Sequence, residues 1–392
     1  MKKNLFLGAC IGLVLPVFSQ VEIQKTTLDI YGHVMLDMGY QAHQNDPNWF
    51  DVVRPSKLPT YDGQYGEDGN FFMSVRQTRL GFKTATPTAS GDQIKTIFEF
   101  ELFGTGSEEG KTIFRLRHAY GEYKQFGAGQ TWSLFMDPDA FPNSVEYWGP
   151  SGMIFYRNIQ ARYMPIQEEH NFLAFSLENP GASFDSGTAT VEGHFPVPDL
   201  AVQYRRTEDW GHLQAAGILR YIDTDEELGA DWGDFMGWGV NLSGNYKINE
   251  DVIRWQVVYG EGIGWYLNDG PLDVGANASG TDGEIVPMLG IVAFYDHVWS
   301  EKYTSSIGYS MYSVDNTAGQ SIDAIHRGHY ALVDLLYHPA PAITYGVELQ
   351  YGARENKGEG NFGGHKIEDM DDIRLQFSFK YTFGLKLNSE AL

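Results

Sequence analysis

The chain has 392 residues, a formal net charge of −23 at pH 7, 14% aromatic residues and one cysteine. This acidity argues against a nucleic-acid ligand, because phosphates require a basic surface, and a single cysteine allows no internal disulfide. Beyond residue 20 no run of eighteen apolar residues occurs, so a transmembrane helix is excluded.

The first residues are typical of an export signal. A positive start, Lys2-Lys3, precedes an apolar stretch over residues 5–18, and Ser19 offers a small residue before a cut ahead of the next position. We therefore predict that residues 1–19 are a signal peptide that is removed on export. Cys10 lies within this segment, but it comes too early to follow a full apolar region in a lipoprotein cleavage site.

The remainder of the chain alternates apolar and polar side chains in segments of about ten residues. An alternation with a period of two residues is typical of a β-strand whose two faces contact different environments. Sixteen such segments occur, near residues 27–40, 71–86, 92–104, 112–125, 126–135, 153–165, 170–178, 199–207, 210–222, 233–248, 250–262, 283–299, 301–313, 326–338, 341–354 and 372–383. The sequence therefore predicts an all-β fold.

The connections between these segments alternate in length. Long connections rich in Gly, Asp, Asn and Pro are separated by short turns such as Lys124-Gln125 and Asn249-Glu250. Bacterial outer-membrane barrels have this asymmetry, with long extracellular loops and short periplasmic turns. We predict one transmembrane antiparallel β-barrel of 16 strands over residues 20–383, followed by a short periplasmic tail over residues 384–392.

The last predicted strand shows the alternation most clearly. Every second residue from Leu375 to Phe383 is large and apolar, whereas Arg374 and Lys380 belong to the polar set. In a barrel the apolar face contacts lipid and the polar face contacts a water-filled channel. The alternative is a secreted all-β carbohydrate-binding or hydrolytic protein, although such a fold gives no reason for the alternating loop lengths.

Arginines recur on the predicted inner faces, which suggests a channel that favours anions. Permanently charged guanidinium groups in a narrow channel attract carboxylates and phosphates. The pore-lining candidates are Arg115, Arg117, Arg162, Arg205, Arg220, Arg254 and Arg374, with Glu99 and Glu101 on a neighbouring strand. The alternative is a structural role in cross-strand ion pairs, and the acids could also reverse the selectivity.

The third long connection, residues 136–152, contains the acids Asp137, Asp139 and Glu146. In sixteen-strand porins a loop at this position folds inward and narrows the channel, which would place its acids opposite the arginines. The alternative is an ordinary external loop. No motif of a hydrolase, a nucleotide-binding loop or a metal site is present. We therefore expect no enzymatic activity, no cofactor and no metal.

Four segments together resemble the DcaP-like trimeric porins of Gram-negative outer membranes. They are RQTRLGFKT (residues 76–84), LRHAYGE (116–122), GQTWS (129–133) and YGVELQYGARE (345–355). The resemblance implies a homotrimer of sixteen-strand barrels, embedded in lipid and lipopolysaccharide, for passive uptake of small anionic solutes such as dicarboxylates. It also implies Arg79, Arg117 and Arg162 as candidates for a basic constriction.

Overall fold

The computed structural model describes residues 26–187, 190–225 and 227–388. The predicted signal peptide and the last four residues of the predicted tail lie outside the described residues. No helix in the described part of the chain combines the length and the apolar character needed to cross a membrane.

Sixteen antiparallel strands form a closed barrel, as the sequence predicts. The strands are β1 (Thr27–Gln41), β2 in two parts (Asn70–Ser74 and Arg79–Pro87), β3 (Gln93–Phe103), β4 (Thr112–Tyr123), β5 (Phe126–Trp132), β6 (Arg157–Gln167), β7 (Asn171–Glu178), β8 (Asp199–Glu208), β9 (Gly211–Thr224), β10 (Asp234–Ile248), β11 (Asp251–Glu261), β12 (Pro287–Ser300), β13 (Tyr303–Val314), β14 (Ile325–Ala340), β15 (Ile343–Asn356) and β16 (Met370–Asn388). Each pairs with its neighbour in sequence, and β16 pairs with β1 to close the sheet.

The final strand is longer than the sequence analysis predicts. β16 continues to Asn388, which pairs with Thr27, so residues 384–388 belong to the barrel wall rather than to a tail. The alternation continues past Phe383, because Leu385 is outward and 55% exposed. The predicted strand is too short because Phe383, an aromatic residue, is taken as its end.

The short turns lie at one end of the barrel and the long loops at the other. Lys124 and Asn249 have positive φ angles of 55° and 57°, which tight hairpins require. The long loops include loop 1 (residues 42–69), loop 2 (104–111), loop 3 (133–156), loop 4 (179–198) and loop 6 (262–286). Their short 3-10 helices are Pro47–Trp49, Pro55–Lys57, Gly106–Glu108, Pro138–Ala140 and Gly264–Tyr266.

Small strands also join the loops to one another. Phe184–Asp185 of loop 4, Val274–Ala276 and Gly283–Ile285 of loop 6 form a three-stranded sheet. The remaining short strands are Gly193–His194, which extends the ladder of β9, and the hairpin Gly360–Phe362 with His365–Ile367.

A bulge interrupts β2. Asp37 of β1 faces Ser74 and His33 faces Arg79, so five residues of β2 span the length of four in β1. The extra residue reverses the alternation at this point, so residues 71–79 do not keep one apolar and one polar face. The bulge turns Arg79 toward the barrel interior.

The outer face of the barrel is an apolar band. The side chains assigned outward by alternation are exposed, for example Val34, Leu219, Val257 and Phe377, which are 53%, 52%, 42% and 43% exposed. Such a continuous band is stable only in contact with lipid.

Loop 3 fills one side of the barrel interior. The prediction that the inner faces of all strands contact water is therefore wrong on that side. Phe135 and Met153 of loop 3 form a buried cluster with inward-facing Ile218, Val258 and Val292. These wall positions are apolar because they contact the loop. The open space therefore lies between loop 3 and the opposite wall.

Candidate permeation site

Loop 3 lies inside the barrel and is held by hydrogen bonds to inward-facing residues of the wall. The Val145 amide donates to Glu348 of β15 at 3.0 Å, and the Gly152 amide donates to Ser310 Oγ of β13 at 2.9 Å. The Asn143 amide donates to Asp296 of β12 at 3.3 Å. These contacts spread over three strands, so the wall fixes the path of the loop.

The acids Asp137 and Asp139 of loop 3 anchor the loop and do not face the arginines of β2 and β4. Asp137 Oδ2 lies 2.7 Å from His212 Nε2 and accepts a 2.8 Å bond from Ser243 Oγ. Arg205 of β8 forms ion pairs with both acids. Burial alone would raise the pKa of Asp137, but the hydrogen bonds from these partners and the nearby positive charge lower it.

The third acid of the loop, Glu146, is also buried. Its carboxylate accepts the backbone amides of Val53 and Gly149. Burial raises the pKa of this carboxyl group, and the charge of Arg374 and the amide donors offset part of that rise. Glu146 therefore joins loop 3 to loop 1 rather than presenting a free charge to the channel.

A cluster of arginines surrounds two glutamates on the wall opposite the buried face of loop 3. Arg117 bonds Glu99 at 2.6 Å and Glu101 at 2.5 Å, as cross-strand pairing predicts. Arg79, Arg115 and Arg157 lie 3.6, 3.4 and 3.5 Å from Glu101. Four guanidinium groups against two carboxylates leave a positive excess. The Tyr147 hydroxyl of loop 3 donates a hydrogen bond to the Glu101 carboxylate.

Arginines of this cluster line two cavities. An inner cavity of about 330 Å³, toward the short turns, is lined by Arg79, Arg117 and Lys380. An outer cavity of about 470 Å³, toward the long loops, is lined by Arg115 and Arg157. The cavities share the ring of Phe155, which lines both. Positive side chains therefore follow the space from one end of the barrel toward the other.

Two of the sequence-predicted arginines do not line the pore. Arg220 is fully buried and forms ion pairs with Asp199 and with Asp273 of loop 6. Arg374 is also fully buried, where it donates to the backbone oxygen of Asp51 in loop 1. Both point inward, as alternation predicts, but loops cover them, and alternation carries no information about loop packing.

The other predicted arginines are partly exposed or lie away from the central cluster. Arg205 and Arg254 each keep about a fifth of the side chain exposed, 22% and 21%, and both contact loop 3. Arg162 lies near the short turns beside Lys83 and Lys95, away from the central cluster. Among the acids, Glu99 and Glu101 lie beneath the arginines with 8% and 0% of their side chains exposed.

The structure adds two arginines that the sequence analysis misses. Arg54 of loop 1 lies between the rings of Trp49 and Trp148, 4.1 Å from each centroid, and pairs with Asp269 at 2.9 Å. Arg157 is the first residue of β6, where alternation would place it outward. Arg54 lies in a loop, where strand alternation gives no information. Arg157 is turned inward at the end of its strand.

Three potential metal ligands meet at Asp137, Asp139 and His212, with their ligand atoms within 4.8 Å of one another. Arg205 pairs with both carboxylates, so a cation would have to displace a positive charge that already neutralises them. The donor set is better satisfied by the ion pairs present than by a metal.

The closed barrel, the apolar outer band and the inserted loop define an outer-membrane β-barrel with the porin fold. The chain belongs to the DcaP outer membrane protein family, whose sequence model matches residues 19–367. This confirms the family resemblance. Membership of an outer-membrane family also contradicts the alternative of a secreted protein. Comparison with curated proteins found no match by sequence.

Solved structures share the fold at low sequence identity. The outer membrane channel DcaP of Acinetobacter baumannii is 21% identical, with a TM-score of 0.79 over 91% of this chain and 97% of that one. An anion-selective porin from Comamonas acidovorans is 10% identical, with a TM-score of 0.58 over 91% and 100%. The trimer form of OmpT from Vibrio cholerae is 13% identical, with a TM-score of 0.57 over 91% and 99%.

Proposed function

We propose that this protein is a porin for passive diffusion of small hydrophilic solutes, with a preference for anions of the dicarboxylate type. The arginine cluster around Glu99 and Glu101 carries the proposal. It holds four guanidinium groups against two carboxylates, and its arginines line both cavities. A charged constriction between low-dielectric walls concentrates ions of the opposite sign.

The net charge of the whole chain does not contradict this preference. The acids that could reverse it are neutralised or covered: Glu101 contacts four arginines, and Asp137 is paired with Arg205. Asp37 is 1% exposed and accepts hydrogen bonds from Gln77 and Ser378. The charges left on the cavity walls are mainly guanidinium and ammonium groups.

The proposed assembly is a homotrimer in a bilayer that contains lipopolysaccharide. Its support is the family resemblance and the shared fold with an OmpT structure solved in a trimer form. Chemical crosslinking in detergent, followed by electrophoresis without heating, tests the trimer.

The reversal potential in a planar bilayer under a KCl gradient tests the anion preference. We expect an anion-selective potential for the wild-type protein. Arg79→Gln should shift it toward cations, because this side chain is 27% exposed and lines the inner cavity. Arg206→Gln is the matched control, since Arg206 lies on the outer surface and pairs with Glu208. A cation-selective wild-type channel contradicts the proposal.

A further inference from the structure

We propose that Gln130 and Thr131 of β5 are positioning residues for Arg117. They hold a bulge in β4 that directs this arginine between the two glutamates of β3. The inference rests on the proposed anion preference, since it concerns how the arginine cluster behind that preference is built. It also gives a role to two of the segments that carry the family resemblance, LRHAYGE and GQTWS, which contact each other in the structure.

One extra residue interrupts the pairing of β4 with β3. Glu99 of β3 faces His118, whereas the next residue, Phe100, faces Leu116. Arg117 between them has no partner in β3, which makes it the extra residue of a bulge. Two consecutive side chains, Arg117 and His118, are therefore buried, each with 4% exposed. Regular alternation would place one of them on the outer face of the barrel.

The bulge determines what Arg117 contacts. Its Nε lies 2.6 Å from Glu99 and its Nη1 lies 2.5 Å from Glu101, so one guanidinium group spans both carboxylates. A regular ladder continued from the pair of Glu101 and Arg115 would place Arg117 directly opposite Glu99. The extra residue shifts Arg117 along β3 toward Glu101, where one side chain reaches both acids. Bulges redirect side chains in this way beside functional sites.

Gln130 satisfies the bulge from the other side of β4. β5 pairs with β4 only over residues 119–123, so the carbonyl groups of Leu116 and Arg117 lie beyond that ladder. The Gln130 side-chain amide donates to these two oxygens, at 3.2 and 3.3 Å. A backbone group without a partner is costly in a membrane-spanning wall. The amide therefore stabilises the bulged form of β4.

The next two residues of β5 contact the same bulge. Thr131 Oγ1 lies 3.0 Å from His118 Nδ1, and the Trp132 ring meets the His118 ring edge to face at a centroid distance of 5.1 Å. The Arg117 guanidinium carbon lies 5.4 Å from the centroid of Trp132. Three consecutive residues of β5 thus contact both buried side chains of the bulge.

Gln130 carries no charge, which separates its effect on selectivity from that of the arginines. It lines the outer cavity, but Gln130→Met replaces one neutral side chain by another of similar size. A change in ion selectivity must then come from charged groups whose position Gln130 controls. If the bulge relaxes, Arg117 leaves the two glutamates, and their carboxylates face the inner cavity with less compensation.

The test is the reversal potential under a KCl gradient for Gln130→Met, alone and combined with Arg117→Gln. We expect Gln130→Met to shift the potential toward cations, by less than Arg117→Gln does. On the Arg117→Gln background it should cause no further shift, because a positioning residue and its target are not additive. Thr131→Val loosens His118 and should give a smaller shift that also disappears on this background. It serves as the test if Gln130→Met forms no channels.

Gln167→Met is the matched control. The Gln167 amide also donates to two backbone oxygens, those of Lys124 and Met164, but it does so at the short turns. We expect this variant to keep the wild-type potential. An unchanged potential for Gln130→Met, or a shift of the same size with and without Arg117, overturns the inference. A cation-selective wild-type channel contradicts the anion preference, whereas the dependence of the Gln130 effect on Arg117 still decides this inference.

Discussion

Gly152 of loop 3 lies so close to Gly290 of β12 that a Cβ atom on Gly290 would stand 2.2 Å from the Gly152 carbonyl oxygen. A Cβ on Gly152 would in turn meet the Met311 carbonyl oxygen at 2.0 Å. The loop and the wall therefore approach each other backbone to backbone, which only glycine allows. This contact fixes where loop 3 ends its course across the barrel.

We expect Gly290→Ala to displace this end of loop 3. The added methyl group should lower the free energy of unfolding by about 1–3 kcal/mol, as overpacking does elsewhere, and should make the single-channel current larger or noisier. Thermal unfolding in detergent and bilayer recording measure the two effects. Gly217→Ala is the control, because its Cβ would meet nothing closer than 3.6 Å. Equal behaviour of the two variants would contradict the contact.

Glu348 should control the position of the middle of loop 3. Glu348→Ala removes the acceptor of the Val145 amide, so we expect a larger conductance with frequent transitions between levels. Glu348→Gln retains an acceptor oxygen and should stay close to the wild-type current. The comparison is made in bilayers at one salt concentration. If both variants conduct like the wild type, the Val145–Glu348 bond does not hold the loop.

Asp137 should stabilise the loop in a pH-dependent manner. Its pKa is lowered in the folded protein, so its contribution is fully present above the ordinary aspartate pKa, about 3.9, and is lost as the pH falls through the lower folded value. Asp137→Asn should therefore unfold at a lower temperature than wild type near neutral pH, and the difference should shrink below about pH 4. The groups that face it are His212, Ser243, Arg205 and the carboxylate of Asp139.

The control for this measurement is Asp139→Asn. Asp139 pairs with the same Arg205 but is 50% exposed, so solvent screens its interaction. We expect a small, nearly pH-independent effect. A difference for Asp137→Asn that grows as the pH falls would contradict the assigned direction.

Arg220 should act on stability and not on selectivity. Arg220→Gln leaves Asp199 and Asp273 as buried carboxylates without their counter-charge. Breaking such a pair costs about 3–5 kcal/mol of unfolding free energy. We expect a clear loss of heat resistance in detergent and an unchanged reversal potential in the folded channels. A shift of the reversal potential as large as that expected for Arg79→Gln would indicate that Arg220 lines the pore.

Much of the barrel could be predicted from the sequence because strand alternation is a local property. The side chains of Leu375 to Phe383 alternate between lipid and the interior whatever the loops do. The pairing of Arg117 with Glu99 and Glu101 is also accessible, since neighbouring strands of a meander place opposite residues side by side. The bulge after Ser74 is harder to predict, because one extra residue changes the face without changing the composition.

The sequence by itself therefore determined the strand number, the outward apolar face and the arginines available to the interior. Only the tertiary structure decided which of those arginines remain near open space. Loop 1 covers Arg374, loop 6 covers Arg220, and Arg157 turns into the outer cavity at a strand end. The reason is that side-chain direction follows from the backbone repeat within a strand, whereas the path of a loop depends on contacts between residues far apart in the chain.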